Sequence, residues 1–572
     1  MTVSAARPSS RIVPLAVALG IGAVLAALFV WPLVEGLRGA FVDAGGRPTL
    51  AFVSLVFANP VYRQGFVNSL GVASASTVLA GAAGLGLAVV LERFSFPGRG
   101  LLSALVPLPL IVPPFVGAIG IKQLLGPFGA LNALLARLGF ERAGLPIDWL
   151  REGRFWAVVL LTALHLYPVV YFNASAALAN VNPEMEEAAQ NLGASRVRRF
   201  AKVTLPLIFP SLFAALTIVF IWGLTELGVP LMCDYMQVTS VQIFAGLKDI
   251  GRNPFVYALV AVVLAATASL YALARLAFGR TREALASKGS ARRAAKPLRG
   301  WRAAACTVAV SLVLFTAALP NISVLLVSLS DDWYRDLLPS GFTLRHFEAA
   351  LGHAMVVPSI ANSLRYVTLS TALDLVLGVA TALIVVRSRS RFGHVLDAAV
   401  MVPLAVPGLV MAFGYLAISR EGRPLSFLNP AHDPTALLVA AYAIRRLPFV
   451  VRAVAAGLQQ ISRALEEAAQ NLGATSARAF YRVTLPLLGP HLLAGGIFAF
   501  ALSMLEVFDS LILAQKQTSF PVTKAIYELF QLLGDGRTVA AALGVWAMFF
   551  LGVAVTAARS ALGGRLGAIF RV

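Results

Sequence analysis

A chain of 572 residues that is 58% hydrophobic and only 13% charged, with a mean hydropathy of +0.80, is too apolar for a water-soluble globular protein, since soluble domains carry roughly a quarter charged residues. Its net charge of +20 does not read as nucleic-acid binding. The basic residues stand between apolar runs, where the usual excess of Lys and Arg on cytoplasmic loops and contact with anionic lipid heads account for them.

Apolar runs long enough to span a bilayer, about 20 residues each, fall at 12–34, 69–91, 101–124, 156–180, 207–230 and 255–278. A second set follows at 303–328, 363–386, 396–418, 436–460, 487–513 and 539–562. The runs are continuous rather than alternating, which predicts helices and not a barrel. The first run follows Arg7 and Arg11 and exceeds the 7–15 residues of a signal-peptide core, so it reads as an uncleaved span. Pro109, Pro113, Pro403 and Pro407 read as kinks in the third span of each set. Cys233 and Cys306 make neither a disulfide framework nor a metal site.

The two sets are copies. Asn68-Ser-Leu recurs at Asn362-Ser-Leu, and Pro109-Leu-Ile-Val-Pro113 with Gly120 recurs as Pro403-Leu-Ala-Val-Pro407 with Gly414, both offset by 294. From Pro168 and Pro448 onward the offset is 280, so the second copy is 14 residues shorter between its third and fourth spans (294 − 280). The fold class expected is all-α integral membrane, with about 12 transmembrane helices as two parallel six-helix repeats about an axis near the membrane normal. Residues 1–280 would form the first repeat, 281–300 a basic cytoplasmic linker and 301–572 the second repeat. The stretch 275–302 carries Arg275, Arg280, Arg282, Lys288, Arg292, Arg293, Lys296, Arg299 and Arg302 against Glu283. With Arg387, Arg389 and Arg391 it marks the cytoplasmic side, whereas the loops with Arg151, Glu152 and Arg154, and with Asp331, Asp332, Arg335 and Asp336, mix signs.

Each copy carries a polar segment between its fourth and fifth spans. Glu187-Ala-Ala-Gln-Asn-Leu-Gly193 and Glu467-Ala-Ala-Gln-Asn-Leu-Gly473 are identical, and Val-Thr-Leu-Pro-Leu follows each at the same distance. Asn182 and Ser462 are N-caps, and Pro183 suits the first helical position. Glu184, Glu186 and Glu187 lie near the positive end of the helix dipole. Gly193 and Gly473 allow the left-handed conformation that ends a helix, and Ser195 and Thr475 cap a second short helix. The spacing predicts a helix-turn-helix along the cytoplasmic membrane surface. Its small Ala188-Ala189 and Ala468-Ala469 pairs leave room for a partner. An interfacial helix without a partner is the alternative, but lipid contact does not require seven identical side chains.

The pattern Glu-Ala-Ala, three residues, Gly, nine residues, Val-x-Leu-Pro runs from Glu187 to Pro206 and from Glu467 to Pro486. It resembles the cytoplasmic motif of permease subunits of bacterial ABC importers, with valine where the family usually has isoleucine. The resemblance covers nearly the whole chain. It is nearest to the ferric-iron permeases in which two such domains are fused; related groups move thiamine, polyamines, sulfate or phosphonates. The resemblance implies that Glu187, Ala188, Ala189, Gly193, Glu467, Ala468, Ala469 and Gly473 form two coupling helices that dock on two copies of an ATP-binding-cassette ATPase. It also implies a periplasmic binding protein as partner, a bacterial inner-membrane location and no cofactor. None of the lysines is preceded by glycine, so there is no phosphate loop of the Gly-x-x-x-x-Gly-Lys kind. ATP hydrolysis is therefore expected on a separate subunit, and this chain is not expected to be an enzyme or to carry a metal.

Charges inside spans cost roughly 2.5–3.5 kcal/mol each and usually face a cavity or a partner. Glu226 and Glu506 stand at equivalent places toward the outer ends of the fifth spans. Two carboxylates near a pseudo-twofold axis could guide a hard cation such as ferric iron, or each could pair with a neighbouring loop. Permeases for oxyanions resemble this chain around Thr225-Glu226-Leu227-Gly228, so the glutamate does not select a cation. Arg445 and Arg446 occupy the places of His165 and Leu166 in the first copy. Adjacent helical residues point about 100° apart, which argues that both cannot face one cavity. A pore-lining arginine would favour an anion or a negatively charged chelate; the alternative is a structural ion pair. Asp374 and Asp509 are further candidates. The cargo expected is ferric iron, with a phosphonate or another small anion as runner-up. An ion-coupled secondary transporter would also use repeats and intramembrane carboxylates, but has no use for the duplicated cytoplasmic motif. A membrane enzyme has no Gly-x-Ser-x-Gly elbow or metal-ligand cluster to support it.

Overall fold

The computed structural model describes residues 9–561 except 44, 112, 141–145, 251–252, 286–294 and 388–390. Arg7, Lys288, Arg292, Arg293 and Arg389 lie outside the described residues. So do the side chains of Arg11, Arg151, Glu152, Arg275, Arg280, Arg282, Glu283 and Arg391.

The first six spans are Ser9–Leu25 running through a π turn into Trp31–Phe41, then Pro60–Arg93, a broken third span ending in Pro114–Leu125, Trp149–Ala179, Leu205–Thr225 and Pro254–Leu285. The second six are Trp301–Leu329, Val356–Arg387, Arg391–Met401 with Gly408–Ser419, Thr435–Gln460, Leu485–Met504 and Gly536–Ala561. Among the described residues ten helices are long and apolar enough to cross a membrane, and a bent pair makes an eleventh. Thr435–Gln460 completes the set of twelve; its Arg445, Arg446 and Arg452 take it out of any tally by hydropathy alone.

The third spans are broken, not merely kinked. In the first half the helix stops at Ile111 and restarts at Pro114; in the second, Phe392–Ala405 and Gly408–Ser419 meet at 99°. Two prolines four residues apart explain this, because each lacks an N–H and crowds the carbonyl of the preceding turn. The fifth spans also end earlier than their apolar runs, at Thr225 and Met504. Short buried helices follow, Gly228–Met232 and Phe508–Leu513, and the chain then folds back as Thr239–Gly246 and Val522–Gln531.

Within each half the second span packs most extensively on the fourth. Glycine makes the approach possible: a Cβ on Gly84 would lie 2.6 Å from the Tyr167 carbonyl oxygen, and one on Gly378 would lie 2.6 Å from Val450 Cγ1. Such small-residue contacts are how helices approach closely where lipid removes the hydrophobic drive. The first spans do something the repeat pattern does not announce. Trp31–Phe41 packs on Gly408–Ser419, and Trp301–Leu329 packs on Pro114–Leu125. A Cβ on Gly120 would collide with the Pro320 carbonyl oxygen and one on Gly414 with that of Pro32, and Tyr415 donates a hydrogen bond to the Leu28 carbonyl (2.5 Å). Each half is thus clasped by the first span of the other. The described end of the linker is tied down too: Lys296–Pro297 pairs in parallel with Phe94–Ser95, at the end of the second span.

Candidate functional site

The duplicated polar segments form the helices Pro183–Asn191 and Arg463–Asn471. Asn182 Oδ1 accepts the Glu184 N–H (3.0 Å) and Ser462 Oγ the Ala464 N–H (3.3 Å), so both caps are where the sequence puts them. Gly193 and Gly473 take φ of +81° and +90°, and the Ala194 and Ala474 N–H groups close back onto the Ala189 and Ala469 carbonyls at 3.0 Å. This is the six-residue closure of a Schellman turn. Ser195 and Thr475 cap the restart, each accepting an N–H at 3.3 Å. The second short helix is not separate. It runs through π turns at Phe200–Thr204 and Phe480–Thr484 into the fifth span, because the extra residue in the turn absorbs the missing N–H of Pro206 and Pro486.

Glu187, Ala188, Glu467 and Ala468 are exposed, as are both glycines, while Ala189 and Ala469 are half-buried. Leu192 and Leu472, beside those glycines, are 88% and 90% exposed. A large apolar tip thus projects from the same place in both copies. Neither leucine was singled out by sequence reasoning.

Glu186 lies in the first turn, as its place near the helix dipole's positive end requires, but it does not face water. Its carboxylate is buried, ion-paired with Arg93 and bonded by the Thr204 hydroxyl. Arg93 also donates to Thr204 Oγ1 at 3.0 Å. The second copy repeats the arrangement: Glu466 meets Arg387 at 3.0 Å and accepts from Thr484 at 3.0 Å. The clue in the sequence was that all three residue types recur, arginine at offset 294 and the other two at 280.

Of the candidate path residues, the structure brings together Arg445, Arg446, Glu506 and Asp509. Arg445 reaches Glu506 Oε1 at 2.6 Å and Asp509 at 3.3 Å, and Arg446 reaches Glu506 Oε2 at 2.5 Å. This is the structural ion pair rather than a cavity lining: two long guanidinium arms converge on one carboxylate from neighbouring faces. Glu506 also accepts the Phe508 N–H (3.2 Å), and its carbonyl accepts from Ser510 and Thr523 (2.6 and 2.8 Å). Asp374 is fully buried within electrostatic range of Arg446, with neither carboxyl oxygen hydrogen-bonded.

The first half is built differently. Among the described residues Glu226 has no basic side chain within ion-pair distance. Its carboxylate accepts the Val229 N–H (3.2 Å) and feels the charge of Glu506. His165 turns instead to the broken third span, with Nδ1 2.8 Å from the Pro109 carbonyl. That carbonyl lacks its helical donor because Pro113, four residues on, has no N–H. His165 also lines a small cleft with Pro114, Leu161 and Asn321. In the second half Val406 N–H takes the Pro403 carbonyl (3.3 Å), and Arg445 goes to Glu506.

The family model described as the binding-protein-dependent transport system inner membrane component matches twice, over residues 81–283 and 374–561. A Sinorhizobium fredii protein described as a probable ABC transporter permease is 27% identical over 476 residues, which is 82% of each chain. An Fe(3+)-transport system permease protein of Haemophilus influenzae is 25% identical over 473 residues, 81% of this chain and 83% of its own. A sulfate transport system permease protein of Salmonella typhimurium is 31% identical over 217 residues, 37% of this chain and 75% of its own. Each family match contains one of the two exposed polar helices and one of the two interrupted fifth spans. With more than half of its length matched in two copies, this chain belongs to the inner membrane components of binding-protein-dependent transport systems, as an ABC importer permease with two permease domains in one polypeptide.

Proposed function

We propose that the chain forms the path along which ferric iron, delivered by a periplasmic binding protein, crosses the inner membrane. ATP is hydrolysed by two copies of a separate ATPase, one docked on each of Pro183–Asn191 and Arg463–Asn471. The observation that carries this reading is the pair of identical segments, Glu187 to Gly193 and Glu467 to Gly473, each with an exposed Glu-Ala pair and a projecting leucine. A membrane-embedded body gains nothing from such a surface unless a soluble partner meets it twice. Iron is supported by the relative named for Fe(3+) transport, which aligns along four-fifths of the chain. A second reading, a phosphonate or another small anion, is supported by the relative named for sulfate transport.

The test is reconstitution of the chain with its ATPase in liposomes, with the binding protein loaded outside. Uptake of radioactive Fe(III) that requires ATP is the expected result. Uptake of an anion but not of iron replaces the first reading by the second, and uptake without any ATPase overturns both. Mass spectrometry of the ligand that co-purifies with the binding protein checks the cargo independently.

A further inference from the structure

The recurrence of Asn68-Ser-Leu at Asn362-Ser-Leu plays no part in docking or in the charged cluster, yet both copies make the same contacts. Ser69 Oγ accepts the N–H of Thr239 (2.9 Å), the first residue of the folded-back helix Thr239–Gly246, and Asn68 donates to the Gln237 carbonyl (2.8 Å). In the second half Ser363 Oγ accepts the N–H of Val522 (2.8 Å), the first residue of Val522–Gln531, and Asn362 donates to the Thr518 carbonyl (2.8 Å). The first N–H groups of a helix have no internal acceptor. Here the preceding residues, Val238 and Pro521, carry no side-chain oxygen to supply one. A serine from another helix supplies it, so the start of each folded-back helix is held by the second span. Both serines are buried.

The other end of the same span carries the second pin. Arg93 grips Glu186 and Thr204, and Arg387 grips Glu466 and the Ile461 carbonyl while the Thr484 hydroxyl donates to Glu466. Ser69 to Arg93 and Ser363 to Arg387 are both 24 residues (93 − 69, 387 − 363), or about 36 Å at the helical rise. That exceeds the roughly 30 Å of hydrocarbon, so the two pins lie on opposite sides of the membrane. Between them the second span is one uninterrupted helix in both halves, unlike the first and third spans of the first half. Gly84 and Gly378 seat it against the fourth span, which leads straight into the exposed cytoplasmic helix.

We infer that the second span of each half is a strut, and that it carries displacement of the docked cytoplasmic helix to the folded-back segment on the far side of the membrane. Asn68, Ser69 and Arg93, with Asn362, Ser363 and Arg387, are its positioning residues. Apolar helix faces in lipid can slide past one another, whereas directional polar bonds at both ends fix the axial position of the rod. A push at Glu186 or Glu466 is then delivered where Thr239 and Val522 begin their helices. The inference rests on the importer reading for the source of the push.

The experiment uses the full chain with its ATPase in lipid nanodiscs, in a background with Cys233 and Cys306 replaced by alanine. One pair of spin labels reports the cytoplasmic side (Val197→Cys with Ala477→Cys), another the far side (Met236→Cys with Gln517→Cys); all four positions are exposed. Distances are compared without nucleotide and with vanadate-trapped ATP. In the parent both pairs change distance. With Ser69→Ala and Ser363→Ala the cytoplasmic pair is expected to change as before while the far pair stays at its nucleotide-free distance. Transport per ATP then falls about tenfold, the scale of a lost coupling interaction. Ser69→Thr with Ser363→Thr, which keeps the acceptor oxygen, restores both; loss of stability alone would not produce this pattern. Arg93→Lys with Arg387→Lys, which keeps charge but loses the fork, gives the same separation of the two pairs if the alanine variant does not accumulate. A far pair that still responds in these variants overturns the strut. A cytoplasmic pair that ignores nucleotide in the parent overturns the importer reading instead.

Discussion

Gly193 and Gly473 hold left-handed backbone with open space around them, since an added Cβ meets nothing within 4 Å. Substitution therefore costs only backbone strain, about 1–2 kcal/mol for alanine and more for a β-branched residue. Because that turn sets the angle between the exposed helix and the fifth span, Gly193→Val with Gly473→Val is expected to insert normally but lose ATP-driven uptake. Membrane yield, hydrolysis and transport, measured side by side, check it. A second expectation concerns the two glutamates at equivalent positions. Glu506→Gln leaves Arg445 with Asp509 and deprives buried Arg446 of the carboxylate it is paired with, and breaking a buried pair costs about 3–5 kcal/mol. Glu226→Gln, which removes no ion pair among the described residues, should leave the thermal midpoint in detergent nearly unchanged. The equivalence of Glu226 and Glu506 was legible in the 280-residue offset, but their unlike environments were not. Ion pairing depends on which carboxylate the arginine arms reach, and Glu186, placed by its sequence position only near the helix dipole, turns inward to Arg93 for the same reason.

Among the elements, the contact of second and fourth spans carries the sharpest test. Gly84→Val and Gly378→Val would force side chains into the Tyr167 carbonyl and Val450, pushing the helices apart. Each should lower the thermal midpoint markedly, as overpacking by about 1–3 kcal/mol implies. Gly86 lies on the same helix with nothing within 4 Å. Gly86→Ala is expected to be neutral or to stabilise by about 0.4–1 kcal/mol. The number and order of spans, the caps of the polar helices and the place of the proline bends could be read from apolar runs and punctuation, though not that the bends are full breaks. The early ends of the fifth spans could not, because the apolar runs resume past Glu226 and Glu506 while the helix does not. What ends each helix is a glutamate turning to accept an N–H two or three residues ahead, a local bond that leaves no trace in periodicity.

At the level of the whole molecule the halves are interlocked rather than side by side. Separate chains of residues 1–288 and 289–572, produced together, are therefore expected to co-purify as a working permease. Either one alone should be degraded or aggregate, since the third span of each would lack the first span that covers it; affinity capture through a tag on one half reads this directly. An internal offset tells which positions are equivalent, but not which copy a span packs against, so the exchange lay beyond what the sequence could disclose. It also has a temporal side. Pro32 meets Gly414, which lies 382 positions further along (414 − 32), and a ribosome adding about 5–20 residues per second needs from roughly twenty seconds to more than a minute to make that stretch. Through that interval the earliest helix waits in lipid with its mate unborn, exposed to membrane proteases and to a finished third span on another nascent copy. The pace of translation, as much as the strength of any contact, then decides whether a chain closes on itself or on its neighbour.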